Sequence, residues 1–352
     1  MTVGLRGMGL GAKLLRLNWA IVLLTCSVAC IGFLMLYSVA GGRLDPWAGR
    51  QMARFGFGLV VMLGVALTHL RLWRLAAAPI YAVSFALLVA VEFVGTTGMG
   101  AQRWIDIGFM QLQPSELMKV ALVLALAAYY AWLPPEKVSR PLWLIPPLAM
   151  TLAPTALTLI QPDLGTAVLL LAGGGVVMFL AGVHWLYFTV AAGAGAGVVW
   201  AVMASRGTPW QVLRDYQYRR IETFLDPSTD PLGAGYHITQ SKIALGSGGL
   251  SGRGLMQGTQ SRLNFLPEKQ TDFIFTSLAE ELGFIGAVAL LTLYVLILLF
   301  CFVSLLMNRD RFGALLTGGV AATLFFYFAV NAAMVTGLMP VVGVPMPLVS
   351  YG

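Results

Sequence analysis

Nine stretches of about twenty predominantly apolar residues recur along this 352-residue chain. Each is long enough to cross the roughly 30 Å hydrocarbon core of a bilayer as a helix. They cover residues 18–40, 54–70, 75–95, 115–133, 142–160, 164–183, 185–205, 273–307 and 313–335. Lipid offers no water to unpaired N–H and C=O groups, so spans of this kind have to be helical. A chain that is 58% hydrophobic and 11% charged, with a mean hydropathy of +0.81, carries more apolar side chain than one soluble core can hide. Its 40 glycines suit helices that approach one another closely. The expectation is an all-α polytopic membrane protein.

The net charge of +7 is dispersed between apolar runs. This favours anionic lipid or an anionic substrate as the counterpart and argues against nucleic acid. Cys26, Cys30 and Cys301 all fall inside apolar runs, where they read as helix-packing residues with no disulfide framework or Cys-x-x-Cys metal site. Arg6, Lys13 and Arg16 precede a first run without a small-residue cleavage site, which predicts an uncleaved span. Placing the N-terminus in the cytoplasm puts these three, Arg71, Arg74, Lys137, Arg140, Arg309 and Arg311 inside. Arg43, Arg50, Arg54 and Arg103 then lie opposite. The polar interval 206–272 is too long to obey that rule and faces outward. No internal repeat or separate soluble domain is legible, so residues 1–352 read as one integral-membrane domain.

Four polar clusters share the outer side of this topology. In Gln113-Pro-Ser-Glu116-Leu-Met-Lys119, Pro114 suits a first helical turn and Glu116 the favourable N-terminal end. Glu116 and Lys119 share a helix face and can pair. They read either as a helix start with a salt bridge or, with Arg103, as a charged pocket at the membrane surface, where charges are costly and seldom idle. Trp104 is an interfacial anchor in both readings. In Gln161-Pro-Asp163-Leu-Gly165, Asp163 either caps the next helix or offers a carboxylate at the mouth of the bundle.

The third cluster is the long interval. Residues 215–224 form a basic and aromatic run that suits an interfacial helix, with Arg219 and Arg220 toward lipid phosphates. The glycine-rich stretch 243–254 lacks the phosphate-loop motif GxxxxGK[ST] and an intact GxGxxG. Asp272 sits where the interval meets the apolar run, with Glu268 and Lys269 just upstream; it is either the N-cap of that helix or a reactive acid at the water–lipid boundary. Glu280 and Glu281 follow inside the run and need partners, for which Lys119 and Lys242 are candidates. Either the helix breaks near Glu281-Leu-Gly283 or these acids face the bundle interior. The fourth cluster runs from Met339 to Gly352.

These strings, with Gly100-Ala-Gln-Arg-Trp104, Asp230-Pro-Leu-Gly-Ala-Gly-Tyr-His237, Gln240-Ser-Lys242-Ile-Ala, Phe265-Leu-Pro-Glu268, Thr271-Asp-Phe-Ile-Phe275, Glu280-Glu-Leu-Gly283 and Leu348-Val-Ser-Tyr-Gly352, together resemble the SEDS family of cell-wall polymerases. The resemblance covers almost the whole chain. Asp226-Pro-Ser-Thr-Asp and Gly258-Thr-Gln-Ser261 are similar to its RodA branch, which serves elongation, more than to the division branch FtsW.

The resemblance implies a bacterial inner-membrane protein of ten helices, the last incomplete or missing here, that polymerises lipid II into glycan strands. Its partner would be a class B penicillin-binding protein, the cross-linking transpeptidase, within the elongation complex. It assigns the essential acid to Asp272. A carboxylate desolvated at the interface gains basicity, enough to take a proton from the acceptor sugar hydroxyl. Arg103, Lys119 and Lys242 would neutralise the leaving pyrophosphate. Trp104, Glu116, Asp163 and Glu268 complete the expected substrate-binding set, and Glu116 with Asp163 would be the acids to hold a divalent cation if one takes part. A lipid II flippase and a non-catalytic scaffold for the transpeptidase are the alternatives. The concentration of unusual polar groups on one face favours the enzyme.

Overall fold

The computed structural model describes residues 10–15, 17–98, 101–106, 108, 111–208, 211, 218, 234–263, 265–266 and 268–351. After a short helix, α1 (Leu10–Leu15), come α2 (Trp19–Val39), α3 (Ala48–Leu67) and α4 (Leu70–Val94). A small antiparallel sheet follows, made of β1 (Thr96–Gly98), β2 (Ala101–Asp106) and β3 (Gln111–Leu112). The chain continues through α5 (Pro114–Trp132), α6 (Pro141–Ile160), α7 (Leu164–Ala181), α8 (Trp185–Ala204), α9 (Ala234–Ser247), α10 (Thr259–Arg262), α11 (Ile274–Met307) and α12 (Arg311–Thr336). Among these, nine helices are long and apolar enough to cross a membrane, and the protein is a multi-pass membrane protein. The second span begins at Ala48, six residues before the expected start, which draws Arg50 and Arg54 into its first two turns. The sheet was not foreseen. The interfacial reading of 215–224, with Arg219 and Arg220, and the Asp226–Gly233 string lie outside the described residues, apart from Tyr218.

The bundle is built around α5, which packs on α4, α7 and α12 and buries Met118, Lys119, Leu122, Leu126 and Tyr130. Helices α3 and α8 bury almost nothing of their own and present Phe57, Val60, Val190 and Trp200 outward, as lipid-facing helices do. Helix ends follow their local chemistry. Asp163 caps α7, its carboxylate accepting from Thr166 N (3.2 Å), and Asp310 caps α12 by accepting from Gly313 N (2.9 Å). α7 and α12 close with left-handed glycines, Gly182 and Gly337.

At 34 residues α11 would run about 51 Å if straight, far more than a bilayer requires. It breaks at Gly283 (φ 70, ψ −168), where the sequence had left a break open. The break interrupts the ladder that would join the carbonyls of Glu280 and Glu281 to the N–H groups of Phe284 and Ile285. A hairpin from the polar interval takes over all four groups. Arg253 N and Gly254 N donate to the carbonyls of Glu280 and Glu281 (both 3.0 Å), and Phe284 N and Ile285 N donate to the carbonyls of Gly249 and Leu250 (2.9 and 3.1 Å). Each of the four groups released at the break is thus hydrogen-bonded again.

The two acids beside the break anchor the same hairpin. Glu281 accepts from Ser38 Oγ (2.5 Å) and Met256 N (3.0 Å); Glu280 accepts from Thr259 Oγ1 and Gln260 N (both 3.0 Å). The expected pairing with Lys119 or Lys242 does not occur. Neutral donors on α2, on the chain after the hairpin and on α10 reach the carboxylates, whereas Lys119 is committed to Glu116 (2.6 Å).

Close approach of the hairpin depends on Gly252, whose φ is +80 and where a Cβ would strike the carbonyl of Glu281. Gly252→Ala should therefore destabilise the protein by about 2 kcal/mol through overpacking and left-handed strain, read as a lower thermal unfolding midpoint in detergent. An unchanged midpoint would show that the hairpin does not need this contact.

Candidate functional site

The four polar clusters meet at one end of the helices. Within the sheet, Thr96 pairs with Trp104, and this register aims Arg103 at the α6–α7 turn. Arg103 Nε donates to the carbonyl of Gln161 (3.1 Å) and Nη2 to that of Pro162. Two of its five N–H donors are used there. Gln161 Nε2 reaches the carbonyl of Leu88 (3.0 Å), and Asp163 takes Thr166 Oγ1 (2.8 Å) and Gln113 Nε2 (3.4 Å) besides its capping bond. The capping reading of Asp163 holds.

Pro114 opens α5 and sets Glu116 in its first turn. Lys119, one turn on, is only 4% exposed and pairs with Glu116 Oε1 at 2.6 Å. The sequence reading missed their third member. Tyr327 on α12 accepts from the Lys119 ammonium and donates to Glu116 Oε2 (2.6 Å), with the ammonium 4.3 Å from its ring centroid. A buried charge requires compensation of this kind. The only sequence signal for Tyr327 was a polar aromatic interrupting an apolar run.

Asp272 sits in the turn before α11. It does not cap that helix: the N-cap is Phe273, and no side-chain capping bond is made. Nor does its carboxylate make a hydrogen bond to any described residue, although Asn331 Nδ2 donates to its main-chain carbonyl (2.9 Å). Burial, and after it the charge of Glu268, pushes its pKa up to about 6. Glu268 is occupied with Thr271 Oγ1 (2.9 Å) and Gln270 Nε2 (3.4 Å). It shapes the turn and the local charge.

The C-terminal segment holds this turn from the other side. Ser350 Oγ donates to the carbonyl of Thr271 (2.7 Å) and Tyr351 N to that of Gln270 (2.8 Å). Gly343 passes close to Asp272 Oδ2. Between this segment, α5 and α12 lies a cavity of about 410 Å³, bordered by Glu116, Val320, Thr323, Leu324, Tyr327 and Ser350. One wall is thus apolar, one rim carries the Glu116–Lys119–Tyr327 cluster, and the other adjoins the Asp272 turn.

No described lysine or arginine forms an ion pair with Asp272; among the described residues the pair within 4.0 Å is Lys119–Glu116. Lys119 and Arg103 are held by their own partners. Lys242 is exposed and lies over Gly337 at the C-terminal end of α12, where a helix dipole favours a cation. The acids proposed for a divalent cation fit poorly, because Glu116 is bonded to Lys119 and Tyr327 while Asp163 is bonded to Thr166 and Gln113. Among the described residues no three metal-ligating side chains come together.

The family model FTSW_RODA_SPOVE, described as cell cycle protein, matches residues 17–352. The peptidoglycan glycosyltransferase MrdB of Escherichia coli K12 is 40% identical, covering 96% of this chain and 89% of its own. A chain of the structure described as "Structural coordination of polymerization and crosslinking by a peptidoglycan synthase complex" superposes with a TM-score of 0.82 at 34% identity, covering 96% of this chain and 93% of that one. The rod shape determining protein RodA of Thermus thermophilus superposes with a TM-score of 0.70 at 31% identity, covering 96% and 91%. With a family model spanning nearly its whole length and the same fold in solved relatives, the chain belongs to the FtsW/RodA/SpoVE, or SEDS, family of cell cycle proteins.

Proposed function

We propose that this protein is a peptidoglycan glycosyltransferase that polymerises lipid II at the outer face of the cytoplasmic membrane, in the service of elongation. The observation that carries the reading is the Asp272 carboxylate, which is partly buried and has no capping or ion-pairing task to explain it. Its relatives' activity supports the substrate class. In the reaction, a sugar hydroxyl of the acceptor forms a bond to the anomeric carbon of the donor. The bond from that carbon to the lipid-linked pyrophosphate breaks, and the leaving group departs with the electron pair. Asp272 receives the hydroxyl proton. A base near 6 is better matched to that step at neutral pH than one at 3.8.

The apolar wall of the cavity suits a polyprenyl chain and its polar rims suit the headgroup. Arg103, with donors to spare at the α6–α7 turn, is the best placed cation for phosphate oxygens. Trp104 beside it supplies an interfacial ring. Lys119, with Glu116 and Tyr327, holds the opposite rim; Asp163 and Glu268 act by ordering their turns, and Lys242 by the charge it adds at the end of α12. The polar interval 206–272 lies outside and the N-terminus inside. The partner is a cross-linking transpeptidase of the class B penicillin-binding type, a reading supported by the synthase complex in which a similar chain occurs.

Purified protein given lipid II should yield glycan strands on a gel, and Asp272→Asn should abolish them while leaving the thermal midpoint in place. Polymer of normal length and amount from that variant would remove Asp272 from the mechanism. Because the base must be ionised, the wild-type rate should fall as pH drops through about 6. Glu268→Gln removes the negative charge that raises this value, so the acid limb should move to lower pH. A limb unmoved by that substitution would separate Glu268 from the Asp272 titration.

A further inference from the structure

Helix α12 touches both rims of the cavity. Val320, Thr323, Leu324 and Tyr327 border it along one face, and Asn331, four residues beyond Tyr327, continues the same face one turn higher, about 6 Å away. Tyr327 bridges Glu116 and Lys119 on α5. Asn331 Nδ2 donates to two carbonyls at once, those of Asp272 (2.9 Å) and Val344 (2.7 Å). It thereby ties the acid's main chain to the C-terminal segment.

We propose that α12 is the ruler of the site, with Tyr327 and Asn331 as positioning residues that set the distance between the Glu116–Lys119 rim and the Asp272 rim. Asn331 is fully buried, yet its Oδ1 finds no hydrogen-bond partner. Such an unsatisfied acceptor costs stability that an apolar residue of the same size would not. What the amide supplies in return is the two-carbonyl clasp. Tyr327 similarly places a hydroxyl between an acid and an ammonium on another helix. The donor's pyrophosphate and the acceptor's hydroxyl have to be held at one separation for in-line attack, and small displacements lower the rate steeply. Both contacts spring from a single rigid helix. Their spacing is therefore set by the helical rise, independently of the loops that carry Asp272.

This inference rests on the polymerase reading, and two measurements keep the two apart. The first is lipid II polymerisation across pH. Asn331→Leu should lower kcat about tenfold to a hundredfold, the usual effect of losing hydrogen bonds that orient a reacting group. It should also move the acid limb below about 6 as the Asp272 turn relaxes toward water and away from its burial beside Glu268. Tyr327→Phe keeps the ring and loses the hydroxyl; it should raise KM about tenfold with the acid limb in place. Asn331→Ser serves if the leucine variant does not fold.

The second measurement needs no activity. Spin labels at the exposed Leu117 and Phe265, with Cys26, Cys30 and Cys301 replaced by serine, report the separation of the α5 rim and the Asp272 side. The distance distribution should be narrow in the parent and broadened by Asn331→Leu. If the folded variants show wild-type kinetics, or a lowered kcat with both the acid limb and the label distance unmoved, the ruler is wrong. If the wild-type protein makes no polymer, the function fails, and the label distances still decide the geometry.

Discussion

A backbone in hydrocarbon must satisfy itself, and the most demanding place for that rule here is the break in α11 at Gly283. Two rungs of the helix ladder are missing. The hairpin at 249–254 replaces them with four hydrogen bonds, and Glu280 and Glu281 clamp the loop that carries the hairpin. Without that insertion the kink would expose two carbonyls and two N–H groups. With it, residues 249–254 of the polar interval become part of the bundle. The short helical piece before the break, and the Asp272 turn that starts it, are thereby held to the transmembrane framework.

The candidate site depends on the same economy of polar groups. Lys119, Arg103 and Asp163 each have a named partner, whereas the Asp272 carboxylate accepts no hydrogen bond from a described residue. Lys119 is neutralised by Glu116 and enclosed by Tyr327; Arg103 gathers the carbonyls of the α6–α7 turn; Asp163 caps α7. Asp272 is fixed through its main chain and leaves its carboxylate free of capping duty. Rigid backbone with an uncommitted, partly desolvated side chain is what a general base requires, since proton transfer needs both position and basicity.

Much of this was legible in the chain before folding. The nine spans follow from the length of apolar runs, and some of their starts from signals such as Pro114 and Asp163. Glu116, Lys119 and Arg103 were singled out because charges beside lipid are expensive, and Asp272 by its place at the water–lipid junction and by the family resemblance. The partners of Glu280 and Glu281 were misjudged. Charge pairing suggested lysines, whereas the acids accept from two hydroxyls, Ser38 and Thr259, and from the backbone N–H groups of Met256 and Gln260, none of which a charge pattern advertises. Tyr327 and Asn331 escaped notice for a similar reason, as polar residues scattered in a helix whose surroundings are invisible in one dimension.

The sequence by itself determined how often the chain crosses the membrane and which acids and bases gather at one end, because hydrophobic length and the cost of charge in lipid are properties of local stretches. Only the tertiary structure decided which of those groups are spent on one another and which stay free. Hydrogen bonding is short-ranged in space while its partners here lie up to 299 residues apart in the chain. No periodicity encodes such a distance, and only the packed bundle brings its two ends within reach.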